Sequence, residues 1–389
     1  MNNGQPTIRP AREPSGRSRF SSYEEAVELA RRRLPRSVHA GVVAGIDRGI
    51  TLRDNSAAFD EIGFRPRAAV PSSTRDLSTT VLGTPMSLPV LLAPVGALRL
   101  VHSDGVLAAA RAASAAGTVC VRSMVAGHSA TETAAATTGP LWQQLYMHQG
   151  RPFAERLIAE AKERGYRALV VTVDSAAERS RYSEPMHMSV RGAVRYAPEL
   201  IRRPRWTARF IRDGMRLNVV NDVKGFGERS KIKIASWDDF GWITEAWPGP
   251  LVIKGIVTRE DALRALDVGA HAVVVSNHGA FMLDGAPATV RALPEVLEAV
   301  DGAAEVLLDS GVRLGSDVVK AVAIGARAVL IGRPYVMGLA ISGEVGVRHM
   351  IELFRYEIDR TLGMMGCPSL TALDRSCVHL PAAWTDAKS

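Results

Sequence analysis

Eight short apolar runs between residues 89 and 332 restrict the folds open to this chain more than any other feature. They are Pro89–Pro94, Thr118–Val121, Leu141–Tyr146, Ala168–Asp174, Leu251–Gly255, Ala272–Ser276, Glu305–Asp309 and Ala328–Gly332. Most are rich in Val, Ile and Leu, and few alternate with polar residues, which is the pattern of parallel strands buried on both faces. Amphipathic stretches separate most of them (Arg151–Arg164, Arg259–Val268, Ala288–Val300, Ser316–Ile324), each followed closely by glycine. Strand then helix, eight times over, predicts an α/β chain folded as a (β/α)₈ TIM barrel. Neighbouring runs are mostly separated by twenty to thirty-odd residues. After the fourth, about eighty residues separate Val171 from Ile253, which implies a long insertion over 188–234 on the catalytic side.

Ahead of the barrel, Ser21-Ser22-Tyr23-Glu24-Glu25 predicts a helix start with two overlapping capping-box spacings, and Pro35 ends or kinks that helix. A second helix is expected around Asp54 to Asp60, so the N-terminal part reads as a helical extension forming a lid or base. Residues 1–19, basic and rich in Pro, Gly and Ser, read as a disordered tail. Residues 20–380 read as one domain and 381–389 as a C-terminal tail.

Composition excludes several classes. The chain is 47% hydrophobic and holds three cysteines, Cys120, Cys367 and Cys377, with no disulfide or zinc spacing, which suits a reducing compartment and implies no metal. Its start lacks the apolar core of a signal peptide, and no run approaches the roughly 18 apolar residues of a membrane span. A cytoplasmic protein is expected. The net charge of +8 raises the question of nucleic acid, but its distribution argues against it. Residues 191–233 hold twelve Lys or Arg against four acidic residues, a surplus equal to that of the whole chain. Such a block is a membrane-surface or partner-binding loop or, more commonly, a solvated mobile face.

If the runs close into a barrel, their C-terminal ends gather Gln144, Tyr146, Thr172, Asp174, Lys254, Ser276, His278, Asp309 and Arg333 at one mouth. A histidine, an aspartate, a tyrosine and a lysine on separate strands make an acid/base set with an electrostatic stabiliser. The turns Asp309-Ser310-Gly311-Val312-Arg313 and Gly332-Arg333-Pro334 follow the last two strands, where glycine lets backbone amides approach an anion and arginine neutralises it. A phosphate-bearing cofactor or substrate is implied.

With these residues in view, the sequence resembles the FMN-dependent α-hydroxy acid oxidases and dehydrogenases over roughly residues 22–380. The motifs carrying the resemblance are Leu-Ala-Pro at 92–94, Gln-Leu-Tyr at 144–146, Thr-Val-Asp at 172–174, Lys-Gly at 254–255, Ser-Asn-His-Gly at 276–279, Leu-Asp-Gly-Ala-Pro-Ala-Thr at 283–289 and Ile-Gly-Arg-Pro at 331–334. The resemblance implies FMN as cofactor. It implies that Pro94, Val95, Gly96, Ser123, Gln144 and Thr172 line the flavin ring and ribityl chain. Lys254 would stand at the flavin's N1/C2 edge with Ser276 nearby, while Asp309, Gly311, Arg313, Gly332 and Arg333 would hold the ribityl and phosphate end. His278 would be the base, Asp174 would stabilise its imidazolium, and Tyr146 would bond the oxygen or nitrogen being oxidised. Oxygen or another carrier would take the electrons, and a homo-oligomer, in the family a tetramer, is implied. The 188–234 loop corresponds to a segment that touches membranes in some relatives, so peripheral membrane contact is the lesser expectation.

Two substrate contacts of the simple hydroxy-acid enzymes are missing. Phe281 stands where they carry an arginine that clamps the substrate carboxylate, and Gly41 stands in place of a tyrosine. Arg181, a second substrate arginine, is kept. Exchanging a fork of donors for an apolar ring removes a charge-assisted contact, so a small carboxylate should bind poorly. The runs Arg-Arg-Arg-Leu-Pro-Arg-Ser-Val at 31–38 and Arg-Pro-Arg-Trp at 203–206 are similar to the mycofactocin-system flavoprotein subgroup, which oxidatively deaminates a peptide-derived lactam. That subgroup usually has two asparagines where this chain has Phe281-Met282. The expectation is oxidation of a C–H bond bearing OH or NH₂ beside a carbonyl, on a sizeable secondary-metabolite or modified-peptide substrate. The alternative is a small 2-hydroxy acid oxidase or dehydrogenase with altered specificity.

Overall fold

Parallel ladders join all eight runs in sequence order, and the last returns to pair with the first. The strands are β1 (Val90–Leu92), β2 (Cys120–Arg122), β3 (Leu141–Leu145), β4 (Ala168–Thr172), β5 (Leu251–Ile256), β6 (Ala272–Val275), β7 (Glu305–Leu308) and β8 (Ala328–Ile331). Closure is through Val329 opposite Val90, Leu330 opposite Leu91 and Ile331 opposite Leu92. This computed structural model describes residues 19–71, 74–175, 198–214 and 235–384.

Alternation along each strand separates two apolar layers. Leu91, Val121, Trp142, Val170, Val252, Val274, Leu307 and Leu330 form a cluster inside the barrel. Their neighbours Val90, Leu92, Leu169, Val171, Ile253, Val273, Val275 and Leu308 belong to the layer beneath the helices. Both sets are almost entirely withdrawn from water, at roughly 1.5–3 kcal/mol for each large side chain. The buried polar residues that do lie within the strands, Arg122, Gln143, Gln144, Thr172 and Lys254, stand toward their C-terminal ends.

The extension before the barrel serves both ends of it. Thr79–Val81 and Thr84–Met86 form an antiparallel hairpin whose Val81 and Met86 join the interior cluster, plugging the N-terminal end. Tyr23–Arg33 begins as its sequence predicts: Ser22 Oγ accepts from the Glu25 amide at 3.2 Å, while the Glu25 carboxylate accepts from the Ser21 amide at 2.7 Å. Pro35 does more than end that helix, because Arg36–Val43 follows as a helix of its own. The next, Ile50–Asp60, starts four residues before the expected Asp54. Within the insertion, Pro204–Arg212 is helical and docked. Trp206 and Phe210 are buried and stacked at 4.9 Å, Trp206 Nε1 donates to the Leu100 carbonyl at 2.9 Å, and Asp213 pairs with Arg99 at 2.5 Å. The helix is therefore docked on the barrel through one apolar edge, while Arg205, Arg209 and Arg212, with Ile201 and Ile211, stay exposed and keep its outer side a solvated basic face. Residues 191–197 and 215–233 of the basic block, Arg181 and the basic tail through Ser18 lie outside the described residues. No helix among the described residues is long and apolar enough to cross a membrane.

Candidate active site

The apolar ladders stop at the C-terminal strand ends, and the polar residues just beyond them converge. His278 follows β6 in a left-handed conformation, φ +59°, a region that few non-glycine residues adopt and that signals a backbone held by its surroundings. Ser276 Oγ accepts from the His278 amide at 3.1 Å, and the Asn277 side chain accepts from the Ala280 amide at 3.2 Å. That turn points the imidazole across the mouth. His278 Nδ1 lies 2.8 Å from Asp174 Oδ1, and His278 Nε2 lies 3.1 Å from the Tyr146 hydroxyl. With Asp174 ionised, Nδ1 carries the proton and Nε2 is left with its lone pair, the form a general base requires.

The carboxyl of Asp174 experiences opposed effects. Burial pushes its pKa up, but the His278 imidazole and the Lys254 ammonium outweigh burial and hold it below the usual carboxylate range. Its Oδ2 is buried with no hydrogen-bond partner among the described residues, so one oxygen is held in reserve. Asp174 sits against Gly255, where φ is +114° and a Cβ would come within 2.6 Å of the Asp174 Cβ. Only glycine allows β4 and the bulge of β5 to approach so closely there.

Lys254, on that bulge, is 4% exposed. Burial would lower its pKa, yet Asp309 and Asp174 together raise it above the ordinary lysine value, so it is a fixed cation. Its Nζ lies 2.9 Å from Asp309 Oδ2 and donates to Ser276 Oγ at 2.6 Å. An ammonium has three protons, and these two contacts leave one for a ligand. A second polar line runs across β2, β3 and β4: Ser123 Oγ donates to Gln144 Oε1 at 3.2 Å and Gln144 Nε2 donates to Thr172 Oγ1 at 3.1 Å. The Thr172 hydroxyl, having accepted there, keeps its own proton to give. The mouth thus holds spare donors around a buried cation, the chemistry that suits the acceptor-rich pyrimidine edge of a flavin.

The two arginine turns are ordered but separately engaged. Arg333 opens the helix Arg333–Met364 behind Gly332, donates to the Val42 and Ala44 carbonyls at 2.9 and 2.7 Å, and lies 4.5 Å from the centre of the Phe281 ring. Arg313 lies over the Tyr23 ring at 5.2 Å. The amides of Arg313, Leu314 and Gly315 are already taken by the Asp317 and Glu357 carboxylates. Gly311, φ +88°, touches the carbonyl of Asn55 so closely that a side chain there is impossible. Pro94, Val95 and Gly96 lie just past the end of β1, and a Cβ on Gly332 would sit 3.6 Å from the Val95 side chain. Gly41, in the Arg36–Val43 helix, is exposed with nothing within 4 Å of where a Cβ would stand.

Sequence reasoning passed over three residues. Asn55 and Asn277 form a buried reciprocal amide pair at 2.9 and 2.8 Å, across 222 positions, that ties the Ile50–Asp60 helix to the His278 turn. His148 stacks on Tyr146 with ring centres 4.7 Å apart and planes 7° apart, and its Nε2 is 3.2 Å from Ser175 Oγ. A histidine two residues after Gln-Leu-Tyr was the available signal for the last of these.

A hydrogen-bonded Asp174–His278–Tyr146 trio and a buried cation at the C-terminal mouth of a (β/α)₈ barrel, with donors to spare, suit a flavin-dependent oxidoreductase. Residues 30–380 match the family model of the FMN-dependent dehydrogenases, and the chain belongs to that family. It is 40% identical over 382 residues to the pre-mycofactocin synthase of Mycobacterium tuberculosis, covering 94% of this chain and 96% of that one. It is 39% identical over 369 residues to an L-lactate oxidase of Nostoc, covering 92% and 97%. Among solved structures, that of the monotopic membrane protein (S)-mandelate dehydrogenase superposes with a TM-score of 0.85 at 33% identity, covering 93% of this chain and all of the other. The protein is an FMN-dependent oxidoreductase, and FMN is its cofactor.

Proposed function

We propose that this oxidoreductase removes hydrogen from a carbon that bears OH or NH₂ beside a carbonyl, in a substrate larger and less charged than lactate, such as a secondary metabolite or a modified peptide. The observation that supports this most is a contrast within the mouth. The proton-transfer trio is complete, while two of the positions that grip a small carboxylate in the simple hydroxy-acid enzymes are changed: Gly41 leaves open space and Phe281 lies against the Arg333 guanidinium.

In this reading His278 Nε2 takes the proton of the substrate's hydroxyl or amine, and Asp174 stabilises the imidazolium through Nδ1. Tyr146 turns its hydroxyl from His278 to the substrate heteroatom. FMN, when bound, supplies the acceptor for the two electrons that leave with the α-hydrogen. Lys254 holds a positive charge where negative charge would then collect, at no cost of reorganisation. Ser123, Gln144, Thr172 and Ser276 would fix the ring, and Asp309, Gly311, Arg313, Gly332 and Arg333 the ribityl phosphate. Arg181 would remain as a substrate contact.

An anaerobic flavin-bleaching screen tests the substrate class. Cyclic α-amino carbonyl compounds such as lactams and larger α-hydroxy amides are compared with glycolate, L-lactate and (S)-mandelate. Bleaching by the larger, uncharged group supports the proposal. Rapid bleaching by the small acids at ordinary millimolar concentration would favour the hydroxy-acid reading instead, and bleaching by none would indicate flavin binding without turnover.

A further inference from the structure

The backbone ladder between β3 and β4 ends at Leu145 opposite Val171. Beyond it the two chains carry Tyr146 and Asp174 into the site without backbone pairing. They are bridged again by side chains, where His148 Nε2 meets Ser175 Oγ at 3.2 Å. Ser175 is buried and adjoins Asp174, so the bridge is firmly rooted on one side. On the other, the imidazole lies flat on the phenol ring of Tyr146, 4.7 Å away and within 7° of parallel.

We infer that His148 is a positioning residue for the oxidation, clamping the Tyr146 ring so that its hydroxyl can serve His278 and the substrate in turn from one place. The inference rests on the reading of His278 as base and Tyr146 as its partner. In the resting site the Tyr146 hydroxyl lies on His278 Nε2, 3.1 Å away. That nitrogen must be released before it takes the substrate's proton, yet the phenol oxygen must stay close to bond the substrate heteroatom. A ring stacked on a tethered neighbour cannot swing aside. What remains free is rotation of the O–H about the C–O bond, which exchanges one hydrogen bond for another without moving the oxygen. A phenylalanine at 148 would keep the stack and lose the tether, and an asparagine would keep a polar tether and lose the stack.

The test uses holoenzyme variants His148→Ala, His148→Phe and His148→Asn, with His278→Ala as control. One readout is the saturating rate and half-saturation of anaerobic flavin bleaching by (S)-mandelate, followed for hours so that slow reaction is seen. The other needs no substrate: ¹⁵N-histidine NMR of the His278 Nε2 signal in the oxidised holoenzyme. His148→Ala is expected to slow saturated bleaching by roughly ten- to a hundredfold, the size of effect that misplacing a catalytic group gives. Half-saturation and flavin absorbance should be little changed, and the His278 Nε2 signal should shift. His148→Phe should recover part of the rate and of the original signal, the share owed to the stack without its tether, and His148→Asn should not. A His148→Ala enzyme with wild-type rate and signal overturns the inference, as does a His148→Phe enzyme no better than His148→Ala. Where mandelate bleaches the wild type too slowly to rank variants, the NMR signal decides. Unimpaired bleaching in His278→Ala would instead remove the base on which the inference rests.

Discussion

At the C-terminal end of the barrel, the Lys254, Asp309 and Asp174 side chains are only 4%, 9% and 12% exposed, and one carboxylate oxygen has no partner among the described residues, whereas at the other end the apolar Val81 and Met86 close the interior and a single half-buried carboxylate, Glu305, accepts from the Leu82 amide at 3.0 Å. Withdrawing charges from water costs several kcal/mol per ion before their attraction returns any of it. A hairpin packed on Leu, Val and Trp, with one half-buried carboxylate at its turn, carries less of that cost. The first end therefore spends part of the stability that the second helps to supply, as expected when one pole of a barrel does chemistry and the other holds it closed. A cleft of about 380 Å³ opens beside the hairpin, lined by Gly83, Thr137, Pro140, Arg164 and Arg167 among others, with no acid/base pair in its lining.

The sharpest way to break this contrast is His278→Ala. If the catalytic end contributes chemistry and not stability, substrate-driven flavin reduction should fall by about 10³–10⁴-fold while the protein stays yellow and its melting temperature is little changed. Loss of FMN or of folding would make His278 a structural residue. Met86→Ala is the converse. Deleting a side chain that is 3% exposed in the plugged end should cost about 2–5 kcal/mol in urea unfolding, with flavin reduction per folded molecule unaltered. A change in rate would mean that the two ends are mechanically coupled.

These expectations show what the linear sequence could and could not convey. The strands were legible because a parallel strand covered on both faces has to be nearly continuous Val, Ile and Leu, and Lys254, His278 and Asp174 were legible because strand ends in a barrel share one mouth. The hairpin plug was not, since Thr79–Met86 is short and marked mainly by Leu82-Gly83. The helix Arg36–Val43 was hidden behind Pro35, which both ends one helix and starts the next. Asn55 escaped for a different reason: it acts through a partner far along the chain, and a pairing across 222 positions leaves no local period to read. The residue Phe281 was legible and its partner was not. It was expected as an apolar wall, and the structure seats a guanidinium against its ring.

Within the catalytic end, the complete proton-transfer trio contrasts with the altered substrate edge, and a smaller effect tests that. Phe281→Arg should raise kcat/KM for L-lactate by roughly ten- to a hundredfold, the contribution of a charge-assisted bond to a carboxylate. The gain should fall at the low end of that range, because the new guanidinium would stand where Arg333 already lies 4.5 Å from the ring centre. Gly41→Tyr, whose Cβ would have nothing within 4 Å, should add to it. If neither variant gains, specificity is set elsewhere, and the docked insertion helix with Trp206 is the next place to look.

The smallest expected effect concerns pH and separates stability from chemistry a second time. His39 is 9% exposed and its Nε2 has no partner among the described residues. Burial lowers its pKa, opposed by its bond to the Val27 backbone, and burial likewise lowers those of His102, His128 and His148. As pH falls through the unfolded value of about 6.5, the unfolded chain therefore takes up protons that the folded chain still refuses. Stability should be level above about pH 7.5 and decline as pH falls through about 6.5, flattening only when the folded histidines also become protonated. Asp174 adds a separate loss at lower pH, beginning near its unfolded value of about 3.9, because its folded pKa is depressed. His39→Phe should make the decline near neutrality shallower in urea midpoints while leaving the pH profile of flavin reduction unchanged, since His39 stands outside the trio. An unaltered slope would assign the lost stability to the other buried histidines, and an altered rate profile would show that the Arg36–Val43 helix transmits charge to the site through the carbonyls it offers Arg333.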